Sequence, residues 1–373
     1  MAESTRLVDL VQSGIDAFLD DRHPILAEIA PDLAPFIDYS RDLLKGGKRF
    51  RALFCYWGWQ SVSGHTTSFA VEPDLSAPSD LGAIVLAASA LELFHAAALV
   101  HDDIMDNSDT RRGGPSAHKR FEALHERGRW IGSARGFGQS AALLLGDLLL
   151  SWSDELFDSS LCALTSRSAH DAARREFNLM RTEVTVGQYL DILEERSWHN
   201  YPEPELLPRA HRVIVYKSAK YSIEAPLAIG AALAGGSREQ VSALREFGLP
   251  LGIAYQLRDD LLGVFGDPET TGKPSGDDLR EGKRTVLIAL ARTRLPSNSR
   301  SLLDELLGDP ELSAQQVSML QASIRDSGAV EQVEQIIDHN VRLAITAIED
   351  APLSEASKQQ LVQLADTVIK RSA

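Results

Sequence analysis

The chain has 373 residues, 44% hydrophobic and 24% charged, a composition able to bury a sizeable core, which excludes a disordered or fibrous chain. Its formal charge of −15 argues against a protein whose main partner is a nucleic-acid backbone, because that surface is itself densely negative. Any anionic ligand has to be met locally, by clustered Lys and Arg or by metal ions.

Taken from the N-terminus, MAESTRLVDLVQSG lacks a basic segment followed by an apolar stretch, so no signal peptide is expected. No run approaches about 18 uncharged apolar residues, so no transmembrane segment is expected and the expected location is cytoplasmic. Gly46-Gly47-Lys48-Arg49-Phe50-Arg51 reads as a flexible turn followed by cations three apart, able to hold an anion or simply to start a basic helix. After a Ser79–Asp80 start signal, Leu81, Ile84, Val85, Ala88, Leu91, His95 and Leu99 recur at three- and four-residue steps, which predicts a long helix running into Asp102. Ala/Leu-rich segments around 140–157, 211–234, 239–263 and 284–294 predict further helices, while period-two patterns rich in Val, Ile and Thr are scarce. The fold class is therefore all-α. Cys55 (in LFCYW) and Cys162 (in SLCAL) are expected as buried thiols, not as a zinc site or disulfide. Segments 61–80 and 196–208 read as plain connections, and the charged segment 266–284 as a functional loop. With no fixed-period repeat and no interdomain linker, 1–373 is expected to form one domain.

The chemistry concentrates in acidic clusters with basic neighbours. On a helix, Asp102 and Asp106 of DDIMD lie on one face, with Asp103 turned about 100° away, so two carboxylates can converge on a hard cation. Magnesium prefers a few carboxylates with waters and phosphate oxygens. Taken alone, the cluster reads equally well as a solvated acidic helix end. Arg111 and Arg112, followed by the turn Gly113–Pro115, supply guanidinium forks that match diphosphate oxygens. A second cluster, Tyr255-Gln256-Leu257-Arg258-Asp259-Asp260, precedes a loop with Lys273, Asp277, Asp278 and Lys283. Carboxylates facing the first pair across a cavity could clamp a diphosphate through several metal ions.

With these residues together, residues of about 40–290 resemble the trans-prenyl diphosphate synthase family, in the family's motif order. The resemblance implies a single large helical bundle around a deep central cavity, of the isoprenoid synthase type, and a homodimer. It implies that Asp102 and Asp106 coordinate magnesium on an allylic diphosphate, that Asp103 supports them, and that Arg111 touches that diphosphate. Lys48, Arg51, His95 and Arg112 would hold isopentenyl diphosphate. Gly187-Gln188-Tyr189-Leu190-Asp191 resembles the family's GQxxD segment and Lys217-Ser218 its Lys-Thr pair, so Gln188, Lys217 and Ser218 would line the reacting end. Asp259 and Asp260 would complete the metal set, with Gln256 beside them, about three magnesium ions binding with the diphosphate. Lys273, Asp278 and Lys283 match a mobile loop that would close over the leaving group. The family's second acidic motif usually reads DDxxD; here its third position is Gly263, which puts metal affinity in doubt more than reaction class.

The implied reaction is magnesium-dependent 1′-4 condensation of isopentenyl diphosphate with dimethylallyl, geranyl or farnesyl diphosphate. Product length would follow from pocket depth: Ala97 and Ala98, one turn before Asp102, leave room, and Phe94 one turn further back would act as a floor or merely pack in the core. Geranylgeranyl diphosphate is the expected product, with a farnesyl or longer-chain synthase as the alternative. A class I terpene cyclase, which takes one diphosphate, and a non-catalytic partner subunit, invited by Gly263, are the competing readings.

Overall fold

Ser79 begins the long helix where the sequence places its start: the side chain accepts the Gly82 N–H at 3.0 Å, capping a helix that runs Asp80–Met105. The computed structural model describes residues 2–64, 79–267 and 275–369; Lys273 lies outside them. The chain divides into two compact units, Met1–Arg174 with Ile229–Gly236, and Arg175–Ala228 with Ser237–Ala373. Both are helical, and the described strands are two residues long, so the all-α expectation holds.

The first unit contains α1 (Ala2–Ile29), α2 (Ala34–Leu44), α3 (Phe50–Ser63), α4 (Asp80–Met105), a hairpin of β1 (Thr110–Arg111) and β2 (Gly114–Pro115), α5 (Ala117–Gly128) and α6 (Ala134–Cys162). Its centre is the antiparallel pair α4 and α6. Ser160 Oγ donates to the Ala83 carbonyl and Ser153 Oγ to the Ala90 carbonyl, each at 2.7 Å. Both partners step by seven residues, so small side chains recur on one face of each helix and let the backbones approach. By length and composition α4 could cross a membrane, although the sequence shows no uncharged run of that length. In the fold, 78% of its most apolar 18-residue window is buried, and Glu92 in its middle is ion-paired to Arg49, as expected of a core helix.

The second unit begins within α7 (Arg167–Ser197) and continues through α8 (Glu203–Val213), a π-helical segment Ile214–Glu224, α9 (Ala225–Leu233), whose end belongs to the first unit, and α10 (Arg238–Phe265). A capping box starts α10, with Ser237 and Gln240 bonding each other's backbone N–H. Helices Asp277–Glu281, Val286–Arg294, Ser297–Leu306, Ala314–Asp326, Ala329–Glu349 and Glu355–Ile369 complete the chain. Leu257, Leu261, Leu287, Ile324 and Ile337 build the core of this unit, and Arg258 is tied to Glu334 by two bonds of 2.5 and 2.7 Å that fix α10 against Ala329–Glu349.

A π-helix has no signature in a 3.6-residue pattern and frequently marks a functional site. Here its geometry is held by direct backbone contact. A Cβ added at Gly187 of α7 would lie 2.5 Å from the Lys217 nitrogen, and one at Gly252 of α10 would lie 2.5 Å from the Ala219 carbonyl oxygen. The wide turn that carries Lys217 is thus clamped on two sides where no side chain fits.

Two local expectations need correction. Segment 196–208 is not a plain connection: α7 runs to Ser197, a 3-10 turn spans Trp198–Asn200, and α8 starts with Pro204 in its first turn, where a missing N–H costs nothing. Trp198 is buried with Leu206 and Ala289. Cys162 is exposed as the last residue of α6, whereas Cys55 is buried as expected.

Candidate active site

Asp102, Asp103 and Asp106 occupy the C-terminal end of α4, with Asp106 as its C-cap. Asn107 then turns left-handed (φ 53°), and the Ser108 N–H reaches back to the Asp103 carbonyl at 3.0 Å, closing the helix. Carboxylates at this end add to the negative pole of the helix dipole. That placement is unfavourable for an ordinary acidic surface and favourable for a cation. Asp102 and Asp106 are part-exposed, while Asp103 is fully buried. Arg111 Nε donates to Asp103 Oδ1 at 2.9 Å, Arg111 Nη2 bonds the same oxygen, and Asp102 Oδ2 lies 3.6 Å from Nη2. Asp103 therefore orients Arg111, while Asp102 and Asp106 keep part of their surface exposed.

The hairpin after α4 pairs Thr110 with Pro115 and Arg111 with Gly114, leaving Arg112 and Gly113 as a two-residue turn, both with positive φ (53° and 76°). This is the turn that matches strand twist, and an arginine in it is uncommon. Arg112 Nη1 donates to the carbonyls of Leu43 (3.1 Å) and Lys45 (3.4 Å), which lays the guanidinium on the turn before Lys48. Gly46 and Gly47, at φ 71° and 89°, let that turn form. Burial and, in decreasing order, the charges of Arg51, Arg112, Arg111 and Arg49 hold the His95 ring well below its ordinary pKa and hence neutral. The structure thus gathers His95, Arg51 and Arg112 into one cationic cluster suited to an anion. Lys48 is exposed, its ammonium 6.0 Å from the Phe50 ring centre.

In the second unit, Asp259 is exposed and Asp260 buried near the C-terminal end of α10. Gln256 Nε2 donates to Asp260 Oδ1 at 2.8 Å, whereas Asp260 Oδ2 is buried and accepts no hydrogen bond among the described residues. Burial pushes this carboxyl up to about 7; Asp259 and Asp191 act the same way, against the Gln256 hydrogen bond and Lys217. Asp191, also buried, is the anchor of both lysines: Lys217 Nζ bonds its Oδ2, and Lys283 Nζ lies 3.5 Å from the same oxygen and 3.0 Å from Glu195 Oε1. Gln188 and Ser218 are part-buried beside Gly187 and Lys217.

These donors fit magnesium. All are hard carboxylate oxygens, both sets sit at negative helix ends, and the buried Oδ2 of Asp260 accepts no hydrogen bond among the described residues. Among the described residues no three acidic, His or Cys side chains form a ready cage.

The sequence profile of polyprenyl synthetases matches residues 35–324. The chain belongs to the polyprenyl synthetase family. A geranylgeranyl pyrophosphate synthase from Corynebacterium glutamicum, solved in complex with isoprenyl diphosphate and magnesium, shares 37% identity and a TM-score of 0.89, covering 98% of this chain and 99% of that one. Geranylfarnesyl diphosphate synthase of Aeropyrum pernix is 31% identical over 87% of this chain and 91% of its own length. Geranylgeranyl diphosphate synthase of Saccharolobus solfataricus is 29% identical over 76% and 79%. The polyprenyl synthetase described here is a prenyltransferase with the all-α isoprenoid synthase fold, as the motifs imply.

Sequence reasoning passed over three residues that position this site. Arg49, left-handed at φ 51°, is buried and bonded to Glu92 (2.9 Å), Gln12 (2.6 Å) and the Leu44 carbonyl. It ties the Gly46–Arg51 turn to α1 and to α4, one turn before His95. The signal for Glu92 was in the sequence: it is the lone acidic residue inside the apolar stretch 81–101. Glu195, the partner of Lys283, has no such signal in the acidic run of α7.

Proposed function

We propose that this prenyltransferase joins isopentenyl diphosphate 1′-4 to an allylic diphosphate in a trans sense, giving geranylgeranyl diphosphate. The observation that carries this reading is the pair of separate anion-handling groups on the first unit. One is Asp102 beside Arg111, with part-exposed Asp106 one turn further on; the other is the arginine cluster around His95. A terpene cyclase has one diphosphate to hold and no use for the second.

In this reading the allylic diphosphate is held through Asp102, Asp106 and Arg111, and isopentenyl diphosphate by Lys48, Arg51, His95 and Arg112. Asp259, Asp260, Gln256, Lys217, Ser218, Lys273 and Lys283 serve the departing pyrophosphate, and Asp191 keeps Lys217 and Lys283 aimed. Three magnesium ions per site would neutralise charge on that leaving group. The allylic C–O bond breaks, the isopentenyl double bond attacks the resulting cation, and a proton is lost to pyrophosphate. Gln188 supplies a dipole near the cation, and the chain's share is positioning and charge stabilisation. The whole chain, 1–373, acts as one catalytic domain in a cytoplasmic homodimer.

The test is product analysis after incubating the purified chain and magnesium with isopentenyl diphosphate and, in turn, dimethylallyl, geranyl and farnesyl diphosphates. Geranylgeranyl diphosphate is expected from each. Consumption of one allylic diphosphate without isopentenyl diphosphate would establish a cyclase, and inertness with every pair would establish a non-catalytic subunit.

The twenty-carbon product rests on α4. Ala97 is fully buried, Ala98 part-buried and Phe94 5% exposed; in this reading small side chains leave room below Asp102 and Phe94 forms the floor. Replacing Ala98 with Phe is expected to shift chromatographed products to fifteen carbons or fewer. An unshortened product would remove Ala98 from the pocket wall.

A further inference from the structure

Trp198 continues the face of α7 that carries Asp191 and Glu195, at steps of four and three residues. The two carboxylates bond Lys283, and the indole after them meets the next residue of the same segment: the Arg284 guanidinium carbon stands 5.5 Å from the Trp198 ring centre. All of these groups belong to the second unit.

Lys283, Arg284 and Thr285 form a non-helical strap between helices Asp277–Glu281 and Val286–Arg294. At one end the Lys283 N–H donates to the Asp278 carbonyl at 3.0 Å; at the other the Thr285 hydroxyl accepts the Ile288 N–H at 3.3 Å, capping the next helix. Arg284 is the middle residue. It is 8% exposed and Trp198 1%, yet its Nε and Nη1 and the indole Nε1 make no hydrogen bond among the described residues. Burial lowers the Arg284 pKa and Arg292 adds to this, while Asp304 and Glu195 oppose it. A buried cation set against a ring face, without hydrogen-bond partners at those nitrogens, carries a desolvation penalty that an apolar side chain of similar length would not. What the guanidinium supplies is a fixed place. Trp198, under it, packs in turn on Ala289 of helix Val286–Arg294, so the stack ties the strap to the end of α7.

We infer that Arg284 is a positioning residue: stacked on Trp198, it fixes the chain at the point from which Lys283 reaches the departing pyrophosphate. This rests on the role given to Lys283 above. A lysine stem is flexible, so its charge is aimed only as well as its backbone is held, and a shift of about 1 Å at a reacting group is costly. The indole contributes its face and not its N–H, so phenylalanine can stand in for Trp198 and leucine cannot.

The test measures binding of inorganic pyrophosphate with magnesium by titration calorimetry, for the full chain and for Arg284→Met, Lys283→Met, Lys283→Met/Arg284→Met, Trp198→Phe and Trp198→Leu, with a thermal melt of each. Arg284→Met and Trp198→Leu are each expected to weaken pyrophosphate binding about ten-fold, while Trp198→Phe stays within about three-fold of the parent. In the Lys283→Met background, Arg284→Met is expected to change the affinity by less than about two-fold, because its effect runs through the lysine already removed. Arg284→Met roughly keeps the side-chain volume, so the decision does not depend on Trp198→Leu remaining folded. Parent-like affinity in Arg284→Met, or an equal loss with and without Lys283, overturns the proposal and leaves the role of Lys283 standing. A Trp198→Phe variant as weak as Arg284→Met overturns the stack as the cause. Parent-like binding in Lys283→Met overturns the role of the lysine and the proposal with it.

Discussion

Replacing Asp102 with Ala is expected to lower turnover by on the order of 10³-fold or more, because leaving-group charge then develops without the carboxylate that holds its counter-cation. The residue is part-exposed and its ionic neighbour Arg111 keeps a second, shorter anchor in Asp103, so the melting temperature should hardly move. Asp103→Ala separates the two roles. It deprives a buried region of the partner of Arg111, and both turnover and melting temperature should fall. Steady-state turnover at saturating magnesium, with melts of each variant, checks both statements. Near-parental turnover in Asp102→Ala would remove the first acidic cluster from the metal site.

The second large effect is on folding. Arg49 and Glu92 form an ion pair with side chains 2% and 5% exposed. Breaking such a pair from one side leaves a buried charge without compensation, at a cost of about 3 to 5 kcal/mol. Arg49→Met is therefore expected to lower the urea midpoint strongly and to weaken isopentenyl diphosphate binding, since the Gly46–Arg51 turn loses its tether to α4. Arg49→Met/Glu92→Met removes the stranded carboxylate and is expected to recover more than half of the stability. The Leu44 carbonyl and Gln12 still lack a donor, so recovery is incomplete. If the double variant is as unstable as the sum of its parts, the two side chains do not act as a pair.

How far the fold could be read in advance depended on whether a residue's role left a periodic trace. Helix α4 was legible because its apolar steps and its Ser79 cap both follow from helix geometry alone. Likewise the acidic helix end and the arginines beside it, adjacent in sequence, come together through one helix end and one two-residue turn. Segment 196–208 misled because Pro202, Pro204 and Pro208 suggest a loop, yet a proline in the first turn of a helix is well tolerated. Cys162 misled for a related reason: apolar neighbours in sequence do not place a residue on the buried face at a helix end. The partners that aim Lys283 and the isopentenyl-side turn, Glu195 and Arg49, lie far from them in sequence or inside a run of like residues. Spacing therefore says nothing of the pairing. Gly263 was visible as a gap in a pattern, but that the Asp278 carboxylate packs on it is fixed only by the path of the chain.

The π-helical stretch Ile214–Glu224 has a bearing on which changes in chain length this enzyme can tolerate. It takes up more residues per turn than the α-helices on either side, so deleting one residue would tighten it to α geometry and rotate the downstream helix by about 100° relative to Lys217. Ala219 and Glu224 would then swing away from Gly252 and Gly248, the positions that receive them without side chains. A single-residue gap in this helix is thus a harsher lesion than most substitutions in it.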